Sequence, residues 1–429
     1  MYRTALDELK HWKENPNRKP LIVDGARQVG KTWLMQEFGR TCYTDTVYLN
    51  CDSNKNAGSV FSGDLSPEIL ISRLEILTRK NISPETTLII LDEIQEVPRA
   101  LTSLKYFCEE AREYHIVCAG SLLGVALHGG TSFPVGKVDF LHLYPLTFKE
   151  FLIASGEERL AELLNTPAEL EIFRDRWTEL LKQYYYVGGM PEAVSAFLES
   201  HDYREVRRIQ EGILSAYEQD FSKHVPDNQV PRIRQLWDSL PAQFAKENRK
   251  FKYGIIKTGA RSKEYETALL WLKDCGLVHQ VQRVSVPKLP LKAYTDEKAF
   301  KLYLSDIGLL AALSGLDERI LLDDRLFSEF KGALTEQYVC QELTAAGIQP
   351  YYWANDNGTA EIDFLITGNS GAVPLEVKAG INLQAKSLKV YRDRFSPEKC
   401  IRISLAGYRD DGWVLNIPLA SAGTYFSTR

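Results

Sequence analysis

The stretch LIVDGARQVGKTWL, residues 21–34, decides the fold of the N-terminal part of this 429-residue chain. Its first residues form an apolar run typical of a buried strand, and a helical pattern starts at about residue 31. Between them lies the sequence G-x-x-x-x-G-K-T, residues 25–32. A loop of this kind between a strand and a helix is typical of phosphate binding on a parallel α/β sheet, whereas a chance glycine turn lacks that context.

Each position of this loop has an expected role. Two glycines permit the tight turns that point successive backbone N–H groups inward at phosphate oxygens. The lysine ammonium is expected to reach the β- and γ-phosphates, and the threonine hydroxyl to bind Mg²⁺. The helix that follows adds the positive end of its dipole. The predicted cofactor-binding residues of the loop are Gly25, Ala26, Gln28, Val29, Gly30, Lys31 and Thr32.

A pair of acids supplies the expected second half of a nucleotide site. The apolar strand TLIILD, residues 87–92, ends in Asp92, and Glu93 follows it. Asp92 is predicted to bind Mg²⁺ through water, and Glu93 to orient and deprotonate the attacking water. Residues 54–57, NKNA, lack the aspartate of the guanine-reading N-K-x-D motif, so ATP is the favoured nucleotide.

Two more polar residues are candidates for contact with the γ-phosphate. Ser121 follows the strand HIVCAG, residues 115–120, and is either a phosphate sensor or a structural turn residue. Lys137 precedes a predicted strand and would supply the extra positive charge that phosphoryl transfer needs. A solvated surface lysine, or an arginine from a neighbouring subunit in its place, is the alternative.

Composition is that of an ordinary globular protein, with 44% hydrophobic and 25% charged residues and a net charge of −5. The length favours two or three domains. Seven scattered cysteines without a Cys-x-x-Cys pair predict reduced thiols and a cytoplasmic protein. The charged N-terminus is unlike a signal peptide, and no apolar run approaches the ~18 residues of a membrane span.

The hydrophobic pattern divides the chain into four segments. Strand–helix alternation in the first predicts a parallel sheet covered by helices. The expected segments are an ATPase core at residues 1–152, a helical region at 153–228, a winged helix at 229–305 and a nuclease-like domain at 306–429.

A basic run marks the predicted winged helix, whose wing would be residues 279–296. Its basic residues outnumber the single acid Glu247 and would suit contacts with a phosphate backbone. Protein contact and a simple solvated face are the alternatives. The run consists of Lys246, Arg249, Lys250, Lys252, Lys257, Arg261 and Lys263.

The last hundred residues carry an acid-acid-lysine set in the predicted order helix, strand, strand, strand, helix, strand. Residues two apart in a strand share a face, so Glu361 lies beside Asp363, and Glu376 beside Lys378. A hairpin would bring these faces together, as in the D…(D/E)-x-K core of restriction-endonuclease-like enzymes. Asp363 and Glu376 would then bind Mg²⁺ or Mn²⁺, and Lys378 would act on the attacking water. Glu336 lies on the helix before them. Solvated charges, or a nucleic-acid clamp without cleavage, are the alternatives.

Together these motifs resemble a family of prokaryotic AAA-like ATPases that carry a winged-helix segment and a C-terminal domain of unknown function. The resemblance implies an additional-strand ATPase core with the two motif strands adjacent in the sheet. Many relatives have arginine where this chain has Lys137. The segment YVGGMPEAV, residues 186–194, belongs to the pattern without an assignable chemistry. The other matching segments are residues 25–32, LDEIQ (91–95), AGS (119–121), LYPLTFKEF (143–151), KLYLSDIGLL (301–310) and AEIDFLI…PLEVKAG (360–380).

These observations predict an α/β protein in which a Mg²⁺-dependent ATPase gates the binding or cleavage of DNA or RNA. The alternative is an ATP-dependent switch or assembly protein whose C-terminal domain binds nucleic acid or protein without cleaving it. Its partner would be another protein, held through the winged helix, or further copies of the chain.

Overall fold

The computed structural model describes residues 1–120, 133–245, 250–319, 328–355, 359–381 and 384–427. Two units are distinguished by their internal contacts: residues 1–144 with 274–276, and residues 145–273 with 277–429. Apart from residues 274–276, the helical, winged-helix and nuclease-like segments expected from the sequence belong to the second unit, which also includes residues 145–152 of the expected ATPase core. The boundaries expected between them remain predictions. Within the described ranges, no helix has the length and apolar character needed to cross a bilayer.

The first unit alternates strands and helices, as the hydrophobic pattern predicts. Its strands are β1 (Leu21–Asp24), β2 (Asp45–Asn50), β3 (Thr87–Asp92), β4 (His115–Ala119) and β5 (Asp139–His142). Its helices are α1 (Ala5–Glu14), α2 (Lys31–Cys42), α3 (Ala57–Val60), α4 (Pro67–Thr78) and α5 (Pro98–Glu110). A 3₁₀ turn, Ile94–Glu96, follows β3.

The strands of the first unit form a five-stranded parallel sheet in the order β2-β3-β4-β1-β5. The implied adjacency of the two motif strands is therefore wrong, because β4 separates β1 from β3. Cys118 of β4 pairs with Ile22 on one side and Leu91 on the other. Every residue of β4 is buried, as a central strand of a covered parallel sheet requires. The order still brings the carboxyl ends of β1 and β3 to the same edge.

The second unit begins with helices and continues as a mixed helix–strand region. Its helices are α6 (Phe148–Ala154), α7 (Glu158–Leu163), α8 (Pro167–Leu170), α9 (Arg174–Val187), α10 (Pro191–Ser200), α11 (Tyr203–His224), α12 (Val230–Phe244), α13 (Tyr253–Ile256), α14 (Ser262–Asp274), α15 (Ile307–Leu313), α16 (Ser328–Ala345), α17 (Lys386–Phe395) and α18 (Thr424–Ser427). Its strands are β6 (Val278–Val284), β7 (Thr295–Leu304), β8 (Tyr351–Ala354), β9 (Glu361–Thr367), β10 (Ala372–Lys378), β11 (Cys400–Ser404), β12 (Arg409–Asp410) and β13 (Val414–Pro418). Short 3₁₀ turns lie at Glu171–Phe173, Leu291–Tyr294 and Leu419–Ser421.

One eight-stranded sheet, in the order β12-β13-β11-β10-β9-β8-β6-β7, runs through this unit. Strands β8, β9 and β10 are successively antiparallel, and β11 returns parallel to β10 after α17. The elements from α16 to β11 therefore follow the predicted order of helix, three strands, helix and strand. The antiparallel pair β6/β7, the expected wing, joins this sheet through a parallel pairing of β6 with β8.

The YVGGMPEAV segment has a structural role at the end of α9. A Cβ on Gly189 would lie 2.1 Å from the carbonyl oxygen of Leu146, so a larger residue does not fit. The Gly189 N–H donates to Asp306 Oδ2 at 2.6 Å, and its carbonyl accepts from the Leu146 N–H at 2.7 Å. Asp306 also caps α15 by accepting from the Leu309 N–H at 2.9 Å. Residues of three segments of the family pattern, 143–151, 186–194 and 301–310, thus contact one another around Gly189. We call this contact the Gly189 joint.

Helix α16 is the polar hub of the second unit. Gln337 holds the backbone of Leu304, accepting from its N–H at 2.9 Å and donating to its carbonyl at 2.6 Å. Glu342 accepts from the N–H of Phe148 at 2.8 Å, at the first turn of α6. Burial raises the pKa of Glu342 to about 8, although this hydrogen bond opposes the rise. The polar side chains of α16 therefore serve packing within the unit.

Candidate functional site

The phosphate loop follows β1 with the backbone geometry that its glycines allow. Gly25 has φ of 134°, and a Cβ there would lie 2.2 Å from the carbonyl oxygen of Leu143. Gly30, with φ of 95°, precedes the first residue of α2. Both conformations are strained for residues with a side chain. The sequence G-x-x-x-x-G-K-T therefore forms a strand–loop–helix turn whose helix begins at Lys31.

Lys31 lies folded over its own loop. Its side chain is 8% exposed, and Nζ donates to the carbonyl oxygens of Gly25 at 2.9 Å and Ala26 at 2.7 Å. Burial lowers the pKa of Lys31 to about 8, and the carboxylates of Glu93, Asp92 and Asp24 oppose the decrease. A phosphate group offers such an ammonium a stronger partner than two carbonyls.

Thr32 and Asp92 meet as predicted for a metal-binding pair. The Thr32 hydroxyl donates to Asp92 Oδ2 at 2.7 Å, and the hydroxyl of Tyr48 donates to the same oxygen at 2.9 Å. Asp92 is only 3% exposed. A hydroxyl and a buried carboxylate at this distance fit Mg²⁺, which prefers oxygen ligands and keeps several waters. Asp92 would thus sit in contact with the metal ion's waters.

Glu93 occupies the turn that leaves β3. Its φ of 49° lies in the left-handed region, which is uncommon for a residue with a side chain. Gln95 Nε2 donates to Glu93 Oε2 at 2.6 Å. The left-handed turn and the Gln95 amide together fix the position of the Glu93 carboxylate, on the residue that follows Asp92. Left-handed residues often mark functional turns, and this one lies at the predicted catalytic position.

In the second unit, Asp363 and Glu376 lie next to the last residue pair of the antiparallel strands β9 and β10. The last pair of strands β9 and β10 is Phe364 with Leu375; Asp363 precedes the first of these residues and Glu376 follows the second. Asp363 Oδ2 accepts from the Val377 N–H at 2.8 Å. Burial raises the pKa of Asp363 well above its usual range, and Glu336 adds to the rise.

Glu376 pairs with Lys378 but keeps one oxygen without a partner. Lys378 Nζ lies 2.9 Å from Glu376 Oε1. Glu376 is 4% exposed, and its Oε2 has no hydrogen-bond partner among the described residues. Burial raises the pKa of Glu376, and Lys378 opposes the rise. An unsatisfied buried carboxylate oxygen is costly, so this atom suits a metal ion or a water molecule.

Lys301, which the sequence reasoning missed as a site residue, lies among the acids. It is 1% exposed on β7, and Nζ lies 2.5 Å from Glu361 Oε1 and 3.7 Å from Glu336 Oε2. Burial acts to lower the pKa of Lys301, but Glu336, Glu361 and Asp363 outweigh it and raise the pKa. One sequence feature could have revealed this residue: it is a single lysine inside the apolar run of residues 299–304. A charge in a buried strand requires a partner, so an acid was to be expected nearby.

Metal-binding geometry is limited in both units. Among the residues that the structure describes, no group of three or more His, Cys, Asp or Glu side chains is arranged to hold a metal ion. A two-carboxylate site completed by water and substrate phosphate remains compatible with the pair Asp363 and Glu376.

Comparison with protein families assigns the first unit. Residues 17–152 match an AAA domain. The phosphate loop, Asp92 and Glu93 thus lie in a P-loop ATPase domain of the AAA type, a class that binds ATP. Residues 178–320 and 331–420 match two domains of unknown function, DUF8612 and DUF4143.

Comparison with individual proteins adds little to the AAA match. No curated protein matches the chain significantly. The Walker-type ATPase PABY2304 of Pyrococcus abyssi is 15% identical, with 72% of this chain and 94% of that chain covered and a TM-score of 0.42. Aeropyrum pernix ORC1, in complex with DNA, is 15% identical over 74% of this chain and 93% of that chain, with a TM-score of 0.26. AMPPCP-bound DnaA of Aquifex aeolicus is 14% identical over 63% and 86%, with a TM-score of 0.29.

Arg3 supports the phosphate loop of the AAA domain and was missed by sequence reasoning. It is 4% exposed and donates to the carbonyl oxygen of Val29 at 3.0 Å and to that of Tyr144. A buried guanidinium fixes these carbonyls and thereby the loop between the two glycines. The charged N-terminal segment has no motif that distinguishes this arginine.

His142, at the carboxyl end of β5, is a second missed neighbour of the loop. Its Nδ1 lies 2.7 Å from Asp24 Oδ1, and Asp24 immediately precedes the loop. The parallel register pairs these two residues across β1 and β5. A contact set by strand pairing of this kind cannot be predicted from local sequence.

Lys137 is not brought to the phosphate loop. It precedes β5, whose first residue Asp139 pairs with Leu21, so it lies at the amino edge of the parallel sheet. The phosphate loop follows the opposite end of β1. Lys137 Nζ instead pairs with Glu109 Oε1 at 2.9 Å, on the surface. The position of Lys137 therefore fits the alternative of a solvated surface lysine better than a contact with the γ-phosphate. Ser121 lies outside the described residues.

Part of the predicted basic run is exposed around α13 and the start of α14. Lys252, Lys257, Arg261 and Lys263 are exposed, and Lys250 is half-buried. Lys246 and Arg249 lie outside the described residues. The exposed charges can meet a polyanion, but two acids, Glu264 and Glu266, share the surface of α14 with Lys263.

Proposed function

We propose that the AAA domain binds ATP with Mg²⁺ and hydrolyses it. The contact of the Thr32 hydroxyl with Asp92 at 2.7 Å, next to Glu93, is the observation that carries this proposal. Lys31 exchanges its two carbonyl partners for the β- and γ-phosphates. Bound Mg²⁺ supplies the positive charge that the phosphates need in the transition state. Thr32 and Asp92 hold the metal end of the nucleotide, and Glu93 accepts a proton from the attacking water.

The proposed site uses the lysine, the threonine and the two acids. Burial lowers the pKa of Lys31, and Arg27, a further cation in the phosphate loop itself, lies close enough to act on the same pKa. Lys137 is at the other edge of the sheet. An arginine supplied by a second copy of the chain is a further candidate for the cation at the γ-phosphate, since phosphoryl transfer gains from an added positive charge.

A panel of nucleotides and metals tests the ATPase proposal. Purified protein is assayed for phosphate release from ATP and GTP, with Mg²⁺ or with EDTA, over a range of protein concentrations. ATP turnover should require Mg²⁺ and exceed GTP turnover, and specific activity should rise with protein concentration if copies complete the site. Turnover of GTP as fast as that of ATP would contradict the proposed preference for adenine. Turnover in EDTA would contradict the proposed requirement for Mg²⁺.

For the second unit, we infer a nucleic-acid-binding role in which Asp363 and Glu376 hold a divalent ion. The helix, three-strand, helix, strand order from α16 to β11 resembles the core of restriction-endonuclease-like enzymes. The partnerless Oε2 of Glu376, 4% exposed, supports a metal ligand at that position. Lys378 lies beside it to stabilise charge on a phosphate. Bound metal would activate water for phosphodiester cleavage.

The alternative is a protein that binds nucleic acid or a protein partner under ATP control without cleaving it. The ion pairs that hold Glu336 and Glu361 favour this alternative, because they reduce the carboxylates available for metal. Helices α12 and α14 with the β6/β7 pair form the proposed winged helix, and would provide the surface for either partner.

Incubation with DNA and RNA panels separates the two alternatives. ATP and Mg²⁺ or Mn²⁺ are varied independently, with Asp363→Asn as the variant. The nuclease proposal is supported if wild type cleaves nucleic acid and Asp363→Asn does not, while both bind nucleic acid with the same affinity. Binding without cleavage under every metal condition supports the clamp or switch.

A further inference from the structure

The acids of the second unit do not share one environment. Asp363 and Glu376 flank the β9/β10 ladder, and Glu376 keeps a partnerless oxygen. Glu336 and Glu361 instead face a buried lysine. Among the described residues, Lys301 forms ion pairs with Glu336 and Glu361, while its charge also acts on Asp363. The two sets of acids thus differ in their ion pairs.

The geometry of Lys301 is that of a fixed internal cation. The 2.5 Å separation of Nζ from Glu361 Oε1 is that of a close ion pair, shorter than the usual ~2.7–2.9 Å of a charge-assisted N–H···O contact. Nζ also lies 3.7 Å from Glu336 Oε2, where the Tyr303 hydroxyl adds a hydrogen bond at 3.3 Å. The ring centroid of Tyr352 lies 5.1 Å from Nζ. These contacts enclose the ammonium on several sides.

The position of Lys301 in the fold keeps this arrangement away from solvent. Its neighbours on β7, Phe300 and Leu302, are buried, and Lys301 pairs with Val281 of β6. Removing one partner of a buried ion pair leaves an uncompensated charge, which is strongly destabilising. A dissociable metal ion cannot take the place of this ammonium without displacing it.

We propose that Lys301 is a built-in counter-ion that withholds Glu336 and Glu361 from metal, so that the acidic cluster takes a divalent ion at Asp363 and Glu376 alone. This rests on the proposed metal site of the second unit. A single ion held by two carboxylates then relies on Lys378 for the charge that a second ion supplies in two-metal sites. Lys301 is a positioning residue in this scheme and makes no contact with substrate.

Metal binding by nucleotide-free, full-length protein tests the inference. Mn²⁺ is titrated calorimetrically, and melting is followed with Mn²⁺ or EDTA. Lys301→Met should melt several degrees below wild type in EDTA, because Glu336 and Glu361 lose their counter-ion. Mn²⁺ should raise its melting temperature more than that of wild type, and an additional Mn²⁺ ion should bind.

Two further variants act as controls. Lys301→Met combined with Glu361→Gln should lose the additional Mn²⁺ ion and regain part of the stability in EDTA. Glu361→Gln alone keeps the lysine and should bind Mn²⁺ as wild type does. Even if Lys301→Met fails to fold, this single variant can still overturn the inference.

The outcomes separate this inference from the metal proposal. Additional Mn²⁺ bound by Lys301→Met supports the lysine inference even if wild type binds none, and the latter result would refute only the metal at Asp363 and Glu376. The inference is overturned if Lys301→Met binds no more Mn²⁺ than wild type. Loss of Mn²⁺ binding in Glu361→Gln would overturn it as well.

Discussion

At the scale of single residues, the proposed chemistry of the AAA domain depends on the charge of Lys31. The side chain is buried over the loop and bonded to two carbonyls, and the surrounding carboxylates keep part of its basicity. The proximity of Lys31, Thr32 and Asp92 could be expected from the sequence, because the phosphate loop and a strand that ends in an acid are local patterns, whereas the roles of these residues and of Glu93 remain predictions. The contacts of Arg3 and His142 could not be expected, since they depend on parts of the fold distant in sequence.

The first prediction follows from the lowered pKa of Lys31, about 8 in the free protein. Bound phosphate favours the protonated form and raises this pKa, so ATP binding above pH 8 must take up a proton. Affinity for ATP should be constant below pH 8 and fall with rising pH above it, by at most about tenfold per pH unit. Calorimetry in buffers of different ionisation enthalpy measures both effects. Lys31→Met should bind weakly without this pH dependence; the same fall in that variant would assign the titration to another group.

At the scale of helices and strands, the hydrophobic pattern of the sequence predicts where an element lies, but it does not predict which strands pair with one another. Strands β1, β3 and β4 and the start of α2 occur where hydrophobic periodicity predicts them, whereas the short helix α3 was not predicted. The order of the strands does not follow from periodicity, and the implied adjacency of the two motif strands was wrong because β4 pairs with both. Lys301 came into the acidic cluster through β7, outside the α16–β11 segment that carries the predicted acids. The nuclease-like fold itself remains a prediction.

The second prediction concerns the joint around Gly189. Gly189→Ala should destabilise the second unit by more than about 3 kcal/mol, because the new Cβ would collide with the backbone of Leu146. Gly212→Ala is the matched control: it lies exposed within α11, and its Cβ would meet nothing within 4 Å. That change should stabilise by about 0.5–1 kcal/mol. Denaturant unfolding of both variants gives the comparison, and equal stabilities would mean that the joint can open at little cost.

At the scale of the whole molecule, the proposed function links an ATPase domain to a nucleic-acid-binding unit. A net charge of −5 requires that any polyanion meet a local basic surface. The exposed lysines of residues 252–263 are that surface in the proposal, and the acids on α14 limit its extent. Sequence composition identified the basic run, whereas its exposure required the structure.

The third prediction tests that surface. Replacing Lys252, Lys257 and Lys263 with glutamine should reduce the dependence of log affinity on log salt by about 0.9 for each duplex phosphate that is no longer neutralised by a lysine. ATP turnover should stay unchanged. Replacing the exposed Lys10, Lys55 and Lys80 of the first unit gives the same change in net charge and should leave the salt dependence as in wild type. If both triple variants behave alike, nucleic acid binds elsewhere or net charge alone governs the interaction.

The central claim is that Glu93, held beside Asp92 at the end of β3, is the base for ATP hydrolysis. The most direct measurement compares ATP binding with steady-state turnover for Glu93→Gln and for Glu96→Gln, an exposed acid in the same turn. Glu93→Gln should bind ATP about as tightly as wild type in Mg²⁺ and turn over at least about 100-fold more slowly, as loss of a general base implies. Glu96→Gln should match wild type in both. Wild-type turnover by Glu93→Gln would contradict the claim.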